Sequence, residues 1–169
     1  MKQRDFIELV MPFKDKVYRL AKRLLVSKEE AEDATQEILI KLWRNNEKIT
    51  DYRNVEAFSM TMTKNFCLDR LKSKQAQNLK IVHSNYQDTN TSLQKQVENS
   101  DSVDWVSRII GELPEQQRII VQLRDIEEYE YDEIAKVVDM NPTAIRVALS
   151  RARKTIREKL MHTHSYGIN

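Results

Sequence analysis

Residues 132–160 read DEIAKVVDMNPTAIRVALSRARKTIREKL, and the fold turns on how this stretch is read. Asn141 is a good helix N-cap and Pro142 a good first helical residue. At 100° per residue, Ile145, Ala148, Leu149, Ala152, Ile156 and Leu160 share one side, which packs inward. Thr143, Arg146, Val147, Ser150, Lys154 and Arg157 share the other, flanked by Arg151 and Arg153. From 141 to 160 the cations Arg146, Arg151, Arg153, Lys154, Arg157 and Lys159 face a single acid, Glu158. Upstream, residues 132–138 form a short helix with Ile134, Ala135 and Val138 inward. Ala135 is small enough for two helices to approach, and Asp139 stands where the turn wants a left-handed residue. Helix, short turn and basic helix make a helix–turn–helix pattern. The start of the second helix would face base edges, and the arginines would meet phosphates. A basic helix alone is more often a solvated face of a bundle. The preceding helix, turn, cap and one-sided charge together favour DNA.

The remaining composition agrees with an all-α chain. Among 169 residues there are two glycines and three prolines, fewer turn residues than a sheet protein needs. Nothing resembles a glycine-rich phosphate loop. Net charge is +2, but it is unevenly placed. Acids dominate residues 27–40 and 125–139, whereas cations dominate 64–80 and 141–160. Such patches suit two unlike partners, one basic and one anionic. The lone Cys67 excludes an internal disulfide and fits a reducing cytosol. No apolar run approaches the roughly 20 residues of a membrane span, so a cytoplasmic protein without membrane insertion is expected.

Helical periodicity divides the chain. Phe6, Leu9, Val10, Phe13, Val17, Leu20, Ala21 and Leu24 form a first stripe, with Pro12 as a kink or a second start. Ser27 and Glu30 fit a capping box. The next helix carries Ala31, Ala34, Ile38 and Leu42 inward. Residues 45–54 read as a polar loop. A third helix from Val55 has Phe58, Met62, Phe66 and Leu71 as buried candidates. Residues 75–104 are rich in Gln, Asn, Ser and Thr and read as a flexible linker. Order resumes with Val103, Val106, Ile109, Ile110 and Leu113, followed by a helix from Pro114 with Ile119, Ile120, Leu123 and Ile126 inward. The expected plan is two small helical domains, 1–74 and 105–162, with a tail at 163–169.

Three blocks then become familiar. Leu113-Pro114, Arg118, Glu133-Ile134-Ala135 and Ser150-Arg151-Ala152-Arg153 resemble the C-terminal domain of bacterial sigma-70 family sigma factors. Residues 31–37 (AEDATQE) with Lys41-Leu42-Trp43 resemble their N-terminal domain, and Asn65 with Asp69-Arg70 a further block of it. Length and plan resemble the small extracytoplasmic-function subfamily. The resemblance implies a protein that binds core RNA polymerase, directs it to promoters and helps to open the DNA. It implies docking of Asp33, Gln36 and Glu37 on the coiled coil of the β′ clamp, with further contact to the β subunit. It implies −10 element contact through Tyr52, Arg53, Asn54, Phe58, Lys64, Asn65, Arg70, Lys72 and Lys74. Asn65 suits a flipped base, because an amide both donates and accepts. It implies −35 contact through Thr143, Ala144, Arg146, Val147, Ser150, Arg151, Arg153 and Lys154. Thr143-Ala144-Ile145 stands where the family often has Gly-Thr-Val, and Ala148 replaces a frequent polar residue. Base preference therefore does not transfer, and reliance on phosphates and DNA shape is expected. An anti-sigma factor is a further implied partner.

The competing classes are weaker. His162 and His164 have no nearby Cys for a zinc site, and Cys67 has no His partner, so no metal, cofactor or catalytic constellation is expected. A stand-alone helix–turn–helix regulator with an N-terminal sensor or dimerisation domain leaves the basic block at 64–80 unexplained. An adaptor that binds polymerase without reading DNA is discriminated by Arg146 and Arg151, whose replacement by alanine would then do little.

Overall fold

The structure is a computed structural model that describes residues 1–49, 54–82 and 102–167, with side chains at 1–49, 54–78 and 105–162. The described elements are helical: α1 (Gln3–Leu25), α2 (Lys28–Arg44), α3 (Asn46–Ile49), α4 (Val55–Val82), α5 (Ser102–Glu112), α6 (Glu115–Val121), a π-helical turn (Gln122–Ile126), α7 (Tyr131–Val138) and α8 (Pro142–Gly167). Among them no helix is long and apolar enough to cross a membrane.

Helix α1 is the hub of the first half. Its stripe Phe6, Val10, Phe13, Val17, Leu20, Ala21 and Leu24 is buried as the periodicity predicts, whereas Leu9 is only half-buried. Pro12 neither ends nor restarts the helix. It lies on the exposed side, where water can take over the hydrogen bond that its missing N–H forfeits. Helix α1 stops at Val26, whose φ of 68° belongs to a γ-turn closed by Ser27 N–H on the Leu25 carbonyl at 2.8 Å. A β-branched residue is strained there, and Val26 is exposed. Val26→Gly should therefore raise stability by about 1 kcal/mol, read as a higher thermal midpoint.

Helix α2 buries Ala31, Ala34, Ile38 and Leu42 against α1. Only half of the expected capping box forms. Ser27 Oγ accepts from the Glu30 N–H at 3.4 Å, but the Glu30 carboxylate turns to Lys74 of α4. An ammonium partner outcompetes a backbone N–H. The expected loop at 45–54 instead contains α3, because Ile49 is apolar enough to dock and is buried. Residues 50–53 lie outside the described residues.

The buried line of α4 also differs from expectation. Ala57, Ser59, Met60, Thr63 and Cys67 are buried, and Phe58, Met62, Phe66 and Leu71 are half-buried. Two hydroxyls made this face look polar. Both are satisfied inside the helix: Ser59 donates to the Val55 carbonyl and Thr63 to the Ser59 carbonyl, each at 2.7 Å. Burial pushes the Cys67 thiol up to about 12. A thiol reagent at pH 8 should leave the native chain unlabelled and react only after denaturation. Helix α4 runs to Val82, past the expected linker start at 75, and α5 begins at Ser102, before its expected end.

In the second half, Ile109, Ile110, Leu113, Ile119, Ile120 and Leu123 are buried, but Ile126 is exposed. The π turn inserts extra backbone and shifts the phase, so that Ile126 at its end faces solvent; Val121 and Gln122, ahead of the shift, are buried as well. Both halves contribute to one continuous apolar core. The joining contacts run from α1 to α6 and the π turn, and from α4 to α7.

Candidate nucleic-acid interface

Helices α7 and α8 form the expected helix–turn–helix. Ile134 and Val137 of α7 are buried, as are Ile145, Leu149 and Ala152 of α8. Ala135 and Val138 are half-buried at the edge of that contact. Asp139 takes the left-handed conformation, φ 54° and ψ 49°, which ends α7 within one residue. Asn141 Oδ1 then accepts from the Ala144 N–H at 2.8 Å and caps α8. Cap and turn together fix which side of α8 meets solvent. Thr143, Arg146, Val147, Ser150, Arg151, Arg153 and Lys154 are exposed there, and Ala144 is half-buried.

Two of these arginines are already oriented. The Arg146 guanidinium lies over the Tyr131 ring, 4.7 Å from its centroid, and Arg124 lies over the same ring at 4.5 Å. Arg124 is itself held by the Tyr129 carbonyl at 2.8 Å. Tyr131 thus limits the swing of Arg146 and cuts the entropy that a contact would cost. Sequence reasoning missed Tyr131 and Arg124. The only signal was an aromatic at a helix start, which is weak. Arg153 donates from Nε to Asp125 Oδ2 at 3.1 Å, so it braces α8 against the π turn.

A second group gathers on α4. Asn65 is exposed and borders a groove of about 510 Å³ between α2 and α4. The groove also exposes Phe66, whose ring has Lys41 Nζ at 4.9 Å and the Arg70 guanidinium at 5.9 Å. Aromatic surface, an amide and cations in one concavity have the makings of a seat for an unstacked base and its backbone. Lys72 is exposed and Phe58 half-buried. Asn54 caps α4, its Oδ1 accepting from the Ala57 N–H at 2.9 Å. Lys74 pairs with Glu30. Lys64 turns away from the groove and donates to the Val137 carbonyl at 2.7 Å, and burial lowers its pKa. Tyr52 and Arg53 lie outside the described residues.

The acidic face lies on α2. Asp33 and Gln36 are exposed and Glu37 is half-buried. Ile40 and Trp43 continue the same outer line, 43% and 37% exposed, which adds apolar area that charge counting overlooked. Arg70 Nη1 meets Asp33 Oδ2 at 2.8 Å, so the acidic face and the α4 groove share an edge.

Known proteins share both the sequence blocks and the fold. A family model described as Sigma-70 region 2 matches residues 9–77, and one described as Sigma-70, region 4 matches residues 104–156. The chain is 28% identical over 162 residues to the ECF RNA polymerase sigma factor SigE of Mycolicibacterium smegmatis, covering 90% of this chain. It spans 60% of that relative's length. It is 23% identical to the ECF RNA polymerase sigma factor SigW of Bacillus subtilis, covering 94% of this chain and 90% of that one. Among solved structures, the fold matches the sigma factor RpoE in complex with the anti-sigma factor NepR from Bartonella quintana. The TM-score is 0.75 at 19% identity, covering 94% of this chain and 98% of that one. It also matches CnrH in complex with the cytosolic domain of CnrY, with TM-score 0.68 at 18% identity over 95% and 90% of the two chains.

Proposed function

Because this chain belongs to the sigma-70 family, in its extracytoplasmic-function branch, we propose that it binds core RNA polymerase in the cytoplasm, directs it to specific promoters and assists their melting. The observation that carries this reading is α8: a capped, basic, solvent-facing helix held by a left-handed turn, with Arg146 steadied on Tyr131. In this reading α8 meets the −35 element through Thr143, Arg146, Val147, Ser150, Arg151 and Lys154. The groove beside Asn65 and Phe66 takes the −10 strand, with Arg70 and Lys72 beside its backbone. Asp33, Gln36, Glu37, Ile40 and Trp43 dock on the polymerase clamp. Separation of duplex is favoured because an unstacked base gains an amide and an aromatic surface, whereas a paired base gains neither. The chain needs no catalytic group, because polymerase performs the chemistry. The domain limits 1–74 and 105–162 follow these roles, with α4 extending the first beyond 74. An anti-sigma factor is a further proposed partner, in keeping with the solved sigma factor RpoE in complex with the anti-sigma factor NepR.

The test is run-off transcription from a genomic fragment library by core polymerase, with and without this chain. New, promoter-specific transcripts are expected only with it. Absence of both such transcripts and core binding sinks the reading.

A further inference from the structure

Three cations of the first four helices have their hydrogen-bond acceptors, among the described residues, in the last four helices or the turns between them. Arg19 Nε and Nη2 fork onto the two carboxylate oxygens of Glu127, at 2.6 and 3.0 Å. Arg23 donates from Nε to Gln122 Oε1 and from Nη1 to the Ser107 carbonyl, each at 2.9 Å. Lys64 donates to the Val137 carbonyl. The Glu127 carboxylate is almost fully covered, with 1% of its side chain exposed, whereas Arg19 keeps 46%. Tyr129, two residues on, is buried and donates its hydroxyl to Glu56 Oε1 at 2.8 Å. Among the described residues the acceptors of Arg23 are neutral, and burial together with neighbouring Arg118 lowers its pKa. A cation in that setting favours an anion over an amide. The seam is also imperfect: a cavity of about 130 Å³ lies between Lys64, Leu68, Ile119 and Val138.

This packed arrangement cannot serve both promoter elements at once. By their names the −35 and −10 elements lie about 25 base pairs apart, on the order of 85 Å of duplex. A compact chain of this length is roughly 40 Å across. The halves must part, and parting strips Arg19, Arg23 and Lys64 of their acceptors on the side of α1 and α4 that is uncovered.

We propose that Arg19, with Arg23 one helical turn on, forms a seat for the nucleic-acid phosphate backbone, whose Arg19 end the chain's own Glu127 occupies in the closed form in the place of a phosphate. The inference rests on the function proposed above only in requiring the halves to separate. The fork of Arg19 on a carboxylate is the geometry it would use on a phosphate, so one anion exchanges for another. The acidic loop thereby competes with DNA for the same cations and weakens binding by the free chain.

The probe is a labelled 20-base-pair duplex of mixed sequence without promoter elements, followed by fluorescence anisotropy against the full chain over a range of salt. Glu127→Ala should tighten binding roughly tenfold and steepen the salt dependence by about two phosphate contacts. Adding Arg19→Ala and Arg23→Ala should return both to the parental values. Tyr129→Phe loosens the same loop by removing the hydroxyl bond to Glu56 while leaving Arg19 and Arg23 untouched, should give a smaller gain in the same direction, and serves if Glu127→Ala does not fold by circular dichroism. Unchanged binding in the folded loop variants overturns the seat, as does a gain that survives removal of both arginines. Neither polymerase nor promoter is present, so failure here with positive run-off transcription rejects the seat alone. A gain here with negative run-off rejects the promoter reading alone.

Discussion

Arg146→Ala combined with Arg151→Ala is expected to lower affinity for −35 duplex by roughly 100-fold and to abolish promoter-specific run-off, while the chain stays folded and still binds core polymerase. Both side chains are exposed on α8 and outside the core, so truncation costs little stability. Each well-placed arginine contact is worth about 1–3 kcal/mol, and two of them give the stated loss. Arg146 should account for the larger share, because Tyr131 holds it in place before DNA arrives. The measurement is anisotropy on a −35 duplex beside transcription from the matching promoter. Full transcription by the double variant would leave polymerase docking as the sole role and favour an adaptor.

Glu37→Lys combined with Ile40→Asp should weaken binding to core polymerase by roughly 100-fold, with −35 duplex affinity unchanged. The pair targets the outer line of α2 and leaves Asp33 to its ion pair with Arg70. Ile40 is 43% exposed and contributes apolar area beside the acids. A few central residues of such an interface carry most of its energy, and a reversed charge repels a basic partner. Native gel shift or surface plasmon resonance against core polymerase reads the effect. Unchanged affinity would move the docking face off α2.

Elements whose apolar residues follow one clean period are legible in the sequence alone. The stripes of α1 and α2 are buried almost residue for residue, α8 buries Ile145, Leu149 and Ala152 and half-buries Ala148, Ile156 and Leu160, and Asn141, Pro142 and Asp139 mark the turn through their own backbone preferences. Legibility fails where a local rule meets a competing partner. Ser59 and Thr63 hide the inner face of α4 because their hydroxyls bond backward within the helix. Glu30 abandons its box for Lys74, and the π turn rotates Ile126 out to solvent.

By itself the sequence determined the class of the chain, the helix–turn–helix and the exposed character of its basic helix. Those depend on periodicity, capping and turn chemistry, which act over a few residues. Only the tertiary structure decided which charges remain available. Lys64 was expected to contact DNA and ends on a carbonyl of α7; Glu127 belongs to the acid-rich stretch 125–139 and is buried on Arg19. Their fates hang on contacts across 73 and 108 residues of chain. No local pattern encodes those pairings, because they exist only once the two helical halves share a core.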